Sequence, residues 1–412
     1  MSLLGAVLRF CSVAICLFAL VGPTNAHFTE GTKIRTIILA AEGEEVLAYA
    51  RIPAPLLFSD IIIEAQTQRR PLNTPFAYLR SSALGPSYRL SIDKTEGDAA
   101  FASRLERALA WEQYGRPVTA IALDWRLDID TAALPFATPA EAAASLASEN
   151  MSADPEFGQG LVDVLFRLEV PVAKGPLTVA SGLPPVPLVA GVEIDNHLLD
   201  ARGESPRSLT QPGQLEDPVT IDGSMMRTVA SFVYQGVLHI VLGLDHVLLV
   251  VCLALGTGAL GRLIWLVTAF TIGHSITLVA TFLGTVPDWP WFMPLVETTI
   301  ALSVLYAAFM ALRRSMGAVW VIAAIGLIHG LGFSFVLGEI LGRQSPDLVV
   351  ALASFNVGIE VGQLAILCVT LLAAYVLAAL SSRVELTARV ATLGGIAVVA
   401  AYWVMDRSLS IV

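Results

Sequence analysis

Two periods divide this chain. Up to about residue 226, apolar and polar residues alternate one by one in short runs, as in Thr36-Ile37-Ile38-Leu39, Val118 to Trp125 and Leu161 to Val170. Gly115, Pro117 and Pro184-Pro185 punctuate them. A period of two sends successive side chains to opposite faces of a strand, so this part predicts an antiparallel β-sandwich. One interruption, Ala99 to Tyr114, places Phe101, Leu105 and Leu109 four apart and predicts a helix. Gly203, Pro206, Pro212, Gly213, Pro218 and Gly223 then mark residues 201–229 as a linker. Past it the apolar runs lengthen to near the ~20 residues that a bilayer crossing requires. Six spans are expected, near 230–256, 261–284, 294–312, 317–340, 349–380 and 388–406. The fold class is therefore mixed: a β-rich, sandwich-like domain outside the cytoplasm, followed by an all-α polytopic membrane domain over 230–412.

The first residues change the compartment. Arg9, the apolar run Phe10 to Val21 and the small-residue ending Thr24-Asn25-Ala26 read as a signal peptide over 1–26, so the outer domain covers 27–200. Cys11 and Cys16 leave with that segment, and the outer domain keeps no cysteine to form a disulfide. Cys252 and Cys368 sit in apolar runs and read as packing residues. Between residues 27 and 226, 16 Lys and Arg stand against 27 Asp and Glu, which argues against a nucleic-acid partner. Arg262, Arg313, Arg314, Arg383 and Arg389 fall in or beside loops on one side of the membrane, and Arg227, Arg343 and Arg407 on the other. That bias places the first group in the cytoplasm and the N-terminal domain in the periplasm of a bacterial inner membrane.

Inside the apolar spans lie four histidines, His239, His246, His274 and His329, together with Asp245, Glu297 and Glu360. Ionisable groups at membrane depth cost several kcal/mol unless they face a cavity or a partner. Imidazole with carboxylate is transition-metal chemistry. A lone membrane histidine is ordinarily a satisfied packing residue, but four with three acids point to a site. On a straight helix, His239 and His246 share a face about 10 Å apart axially, so one ion would not bridge them and the histidines predict a route at two depths. A distortion at Gly243 would instead bring them together. Asp245 would orient a histidine or face another helix.

Thr268, Thr271, His274 and Ser275 line one side of the second span, either as a hydrated path or as interhelical hydrogen bonds. Asn356, Glu360 and Gln363, at i, i+4 and i+7, form one polar face of the fifth. Glu297, after Pro294, is expected in the first turn of the third span, where capping competes with a site role. Gly326, Gly330 and Gly332 around His329 permit close backbone approach.

These segments carry a resemblance. His239-Ile240-Val241-Leu242-Gly243-Leu244-Asp245-His246, Thr268 to Leu278, Val296-Glu297 with Ile300 to Val304, Gly326 to Phe333 and Phe355 to Leu364 resemble the HupE/UreJ family of hydrogenase and urease accessory membrane proteins, in its branch with a large exported domain. The resemblance implies a permease for a divalent metal, nickel first and copper, cobalt or zinc otherwise. His239, Asp245, His246, His274, Glu297, His329 and Glu360 would be metal ligands, with Thr271, Ser275, Asn356 and Gln363 lining the pathway. Hydrogenase or urease maturation proteins, or periplasmic metal-delivery proteins, would be partners. Ile240 stands where some relatives carry proline, so no kink is implied there. No phosphate-binding loop of the Gly-x4-Gly-Lys-Ser/Thr kind occurs, so ATP-driven pumping is not expected of this chain.

Two other classes stay open at this level. The same residues would suit an intramembrane zinc hydrolase with Glu297 or Glu360 as general base, although a non-enzyme is expected. A metal-responsive sensor or assembly protein would use the acidic outer domain to bind a partner. His27, once at the mature N-terminus, would chelate metal through its amine and imidazole, with His197 completing an outer capture site.

Overall fold

The computed structural model describes residues 33–82, 85–130, 133–149, 151, 153–187, 194–282, 289, 291–341 and 347–409. The proposed signal peptide, His27 and Arg343 lie outside the described residues. Two compact units emerge, one of residues 33–231 with 338–341 and 347–351, the other of Phe232–Leu337 and 352–409.

The first unit is β-rich, as its alternation requires. Its strands are β1 (Lys33–Glu42), β2 (Glu45–Pro53), β3 (Ala77–Ser82), β4 (Gly85–Leu90), β5 (Leu109–Gln113), β6 (Arg116–Ile129), β7 (Gly160–Glu169), β8 (Leu177–Ser181), β9 (Ile194–Asp200), β10 (Arg207–Pro212) and β11 (Val219–Ile221). β3 and β4 form a separate hairpin; the other nine make one sheet in the order β10-β9-β1-β2-β7-β6-β5-β8-β11. Every pair in it is antiparallel except β1 with β9, which run parallel. The two ends of this sheet are tied together, making it a near-barrel. Arg202, just after β9, pairs with Asp200 at 2.8 Å and donates to Ile221 O of β11 and to Gly175 O before β8.

Short helices cover the sheet: α1 (Ala54–Leu57), α2 (Ser59–Gln68), α3 (Ile92–Thr95), α4 (Ala99–Ala108) and α5 (Pro139–Leu146). Alternation along β1 separates two cores. Ile37 and Leu39 join Phe101 and Leu105 of α4, while Ile38 joins Leu199 and Ala142 of α5. On the second face, Arg51 holds the cross-strand Asp163 at 2.6 Å, and Ser145 of α5 donates to the same carboxylate. The helix expected over 99–114 stops at Ala108. Leu109, Trp111 and Gln113 point inward while Ala110 and Glu112 are exposed, a strand period, and Tyr114 and Gly115 at φ 51° and 73° close a hairpin onto β6. The stretch 201–229, expected as a linker, carries β10, β11 and the start of the next helix.

The second unit is helical. Its helices are α6 (Met225–Leu242, beginning in the first unit), α7 (Leu244–Gly256), α8 (Leu260–Phe282), α9 (Phe292–Leu312), α10 (Val319–Leu341, ending in the first unit), α11 (Leu348–Leu380, beginning there) and α12 (Ser382–Leu409). Among the described residues five are long and apolar enough to cross a membrane, while α7 and the Val319–Gly332 part of α10 are shorter apolar helices. The expected first span, 230–256, is thus two helices. Arg389 of α12 is buried and donates to Leu255 O and Ala311 O, satisfying carbonyls at the C-terminal ends of α7 and α9. Glycines bring backbones together, as membrane packing favours. A Cβ on Gly273 would strike Ala323 O and one on Gly326 would strike Phe270 O, so α8 and α10 touch main chain to main chain.

Candidate metal centre

The centre is built on a helix break. His239 lies in the last turn of α6, and Gly243 N donates to His239 O to close that turn. Gly243 then leaves the helical region at ψ 94°, and α7 restarts at Leu244, so Asp245 and His246 occupy its first turn. A spacing worth about 10 Å on a straight helix becomes 4.9 Å between the rings of His239 and His246. The expectation of two separated depths is therefore corrected in favour of the distortion at Gly243. His274 arrives from α8, its ring centroid 5.7 Å from each of His239 and His246, and His329 from α10, 5.0 Å from His246.

Possible ligand atoms fall into two overlapping groups, His239, His246 and His274 in one, and Asp245, His246 and His329 in the other. Within each group the atoms lie no more than 4.8 Å apart. His246 belongs to both. His246, His274, His329 and Asp245 are buried; His239 is partly exposed as a residue, but its Nε2 is buried.

Local hydrogen bonds prepare two of these rings. Asp245 Oδ1 accepts from His246 N at 2.8 Å and faces His246 Nδ1 at 3.1 Å. An ionised carboxylate makes Nδ1 the protonated nitrogen and turns the Nε2 lone pair toward a cation. Asp245 in the first turn of α7 is also favoured by that helix's dipole. Ser303 of α9 donates to Ile300 O at 2.7 Å and meets His329 Nε2 at 2.9 Å. With its one proton on the carbonyl, Ser303 accepts from Nε2–H, which leaves the His329 Nδ1 lone pair as the ligand. Phe270 packs against His246, His274 and His329, and Phe355 against His239, which walls the centre with aromatic surface. Nothing in the sequence singled out Ser303 or these phenylalanines: their role depends on which helices adjoin, and no periodicity encodes that.

The two other acids lie outside both groups. Glu297 is the sixth residue of α9, past the first turn, and its neighbour is Arg407 of α12, which donates to Glu297 O at 3.1 Å and approaches Oε2 at 3.9 Å. Glu360 instead meets the hydroxyl stripe of α8. Thr268 donates to Glu360 Oε1 at 2.9 Å, Thr271 lies 2.8 Å from Oε2 and 2.9 Å from Gln363 Oε1, and Ser275 lies 2.6 Å from Asn356 Oδ1. The two polar faces read separately on the second and fifth spans thus form one seam.

In the outer unit, His197 is 1% exposed inside the sheet, between Thr36 of β1 and Thr210 of β10. Neither of the possible metal-ligand groups among the described residues includes it. Burial pushes its pKa from 6.5 down to about 4. As pH falls through that interval, the unfolded chain takes up a proton that the folded one refuses, so stability is present above the unfolded value and is lost on acidification, by up to about 3 kcal/mol. Relative to the base-catalysed intrinsic rate, amide protection of β1, β9 and β10 in the full-length protein is expected to fall between pH 7 and pH 5, and His197→Gln to flatten that response. An H197Q chain with the full pH dependence would refute the assignment.

Residues 215–407 match the family model described as HupE / UreJ protein, which covers β11 and nearly all of α6 to α12 and leaves the rest of the sheet outside. No curated protein and no solved structure matches the chain. The apolar helices and this match make it a multi-pass membrane protein.

Proposed function

We propose, from the premise that the C-terminal region belongs to the HupE/UreJ family, that this protein passes a divalent transition metal through the membrane by way of the buried histidine cluster. The observation that supports it most is the convergence of four imidazoles and one carboxylate from α6, α7, α8 and α10 in an apolar surround. A permeation site must strip water from an ion yet release it. Two three-ligand groups sharing His246 suit that need: an ion moves from the His239 and His274 side to the Asp245 and His329 side while keeping one ligand. Nickel is the first candidate ion and cobalt the next. Affinity order alone favours copper at nitrogen-rich sites, so selection rests on geometry.

The same reading puts the protein in a bacterial inner membrane with the β-rich unit in the periplasm. The hydrolase alternative draws less support, because Glu297 neighbours Arg407, Glu360 is engaged by threonines, and neither belongs to a group that would hold zinc. Uptake of nickel, cobalt, copper and zinc into proteoliposomes tests the proposal. Wild type is expected to carry nickel or cobalt at least 10-fold faster than His246→Ala or His274→Ala; equal rates in all three would end the transport reading.

A further inference from the structure

Arginines gather where α7, α9 and α11 end and α8, α10 and α12 begin. Residues 250–268, 306–324 and 374–394 hold Arg262, Arg313, Arg314, Arg383 and Arg389 against a single acid, Glu385. Contacts tie these turns together. Arg262 of α8 donates to Met316 O at 2.8 Å, a Cβ on Gly256 at the end of α7 would meet Met316 Sδ, and Arg389 of α12 donates to Leu255 O and Ala311 O.

Helix ends account for only part of this charge. A helix C-terminus presents about half a negative charge, so three of them with Glu385 offset about half of the arginine charge. Arg314 and Arg389 adjoin within the remainder. Ala311 O accepts from Arg314 N and from Arg389 Nη1, both at 3.0 Å, which roots Arg314 beside the Arg389 guanidinium, near enough for the two charges to repel. Glu385, one turn before Arg389, attracts it. Arg389 is 8% exposed, both its bonds to carbonyls use Nη1, and its Nε is buried without a partner. Among the described residues its Nε and Nη2 edge is therefore unengaged, and that edge matches two oxygens of a phosphate.

The surroundings fix the class of that phosphate. Trp265 near the start of α8 and Trp320 in the first turn of α10 are exposed at the same turns, and indole rings at helix ends settle among lipid headgroups. Basic pockets between transmembrane helices hold anionic headgroups there. An amine on the headgroup would be repelled by the arginines, which selects an anionic phospholipid over a zwitterionic one.

We propose that these turns bind an anionic phospholipid, with its phosphate at Arg314 and Arg389. None of the arginines belongs to the histidine cluster, so the site does not depend on which ion crosses.

Native mass spectrometry of the purified full-length protein, titrated with phosphatidylglycerol or with phosphatidylcholine of the same acyl chains, tests it. Wild type should bind phosphatidylglycerol saturably and at least about 10-fold more tightly, since each arginine near an anionic headgroup adds about fivefold. Arg314→Gln should weaken that binding about fivefold, whereas Arg314→Lys, which keeps the charge, should retain it. Arg314 is exposed, so R314Q is expected to melt as the wild type does, which separates lost binding from lost structure. Equal affinity of the wild type for the two lipids overturns the proposal, and so does wild-type affinity of R314Q for phosphatidylglycerol. Inorganic phosphate in excess should leave the lipid bound, because it brings no acyl chains to the apolar helices; displacement would make the ligand a free anion and overturn the assignment to lipid.

Discussion

Replacing His246 with alanine is expected to weaken nickel binding by more than about 100-fold, further than alanine at His239, His274 or His329, since second-sphere losses alone cost 10–100-fold at metal sites. The order follows from membership. His246 belongs to both ligand groups, whereas each of the other three belongs to one, so its loss leaves neither group with three ligands. Asp245→Asn should fall between, because the amide no longer dictates which ring nitrogen of His246 carries the proton at their 3.1 Å contact. Equilibrium dialysis of nickel against the purified full-length protein gives the ranking. Four histidine variants with the same loss would mean that no residue is shared, and the two-group arrangement would fail.

Period and composition were enough to anticipate the division into a β-rich part and an apolar helical part, because strand alternation and span length are local properties. What joins distant segments was not local. The seven residues from His239 to His246 define a 10 Å step only if the helix is continuous, and Gly243 ends it without the proline that some relatives carry at Ile240. Glycine marks a possible break without committing to one, so geometry alone left both outcomes standing. The polar faces of α8 and α11 were each visible as a helical stripe, but a stripe does not name the helix it meets. The parallel pairing of β1 with β9 joins strands some 160 residues apart and leaves no mark in either.

Glu297 shows a different failure. Pro294 suggested a helix start, and proline is tolerated anywhere in the first turn because those N–H groups lack intrahelical partners. α9 begins at Phe292, so the proline is its third residue and Glu297 falls in the second turn. In the outer unit, Leu109 satisfied the fourfold spacing of α4 as well as the twofold spacing of β5. Only the turn at Tyr114 and Gly115, where both residues take positive φ, decides between them.

Gly326→Val is expected to unfold or splay the helical unit and remove metal binding in the same variant. A Cβ at Gly326 would run into the carbonyl, carbonyl carbon and Cα of Phe270, all backbone, so no side-chain rotation relieves the clash and α8 must move away from α10. Overpacking of this kind costs about 1–3 kcal/mol even where side chains can yield. Here α8 carries His274, α10 carries His329, and the Phe270 ring lies 5.2 Å from His329 and 5.7 Å from His246. Moving that contact therefore separates ligands drawn from three helices. Gly394→Ala in α12 is the control, since its added Cβ meets nothing within 4 Å and should leave nickel affinity unchanged and the melting temperature no lower. Should G326V melt and bind nickel as the wild type does, close approach of α8 and α10 would not be what holds His274 and His329 on His246.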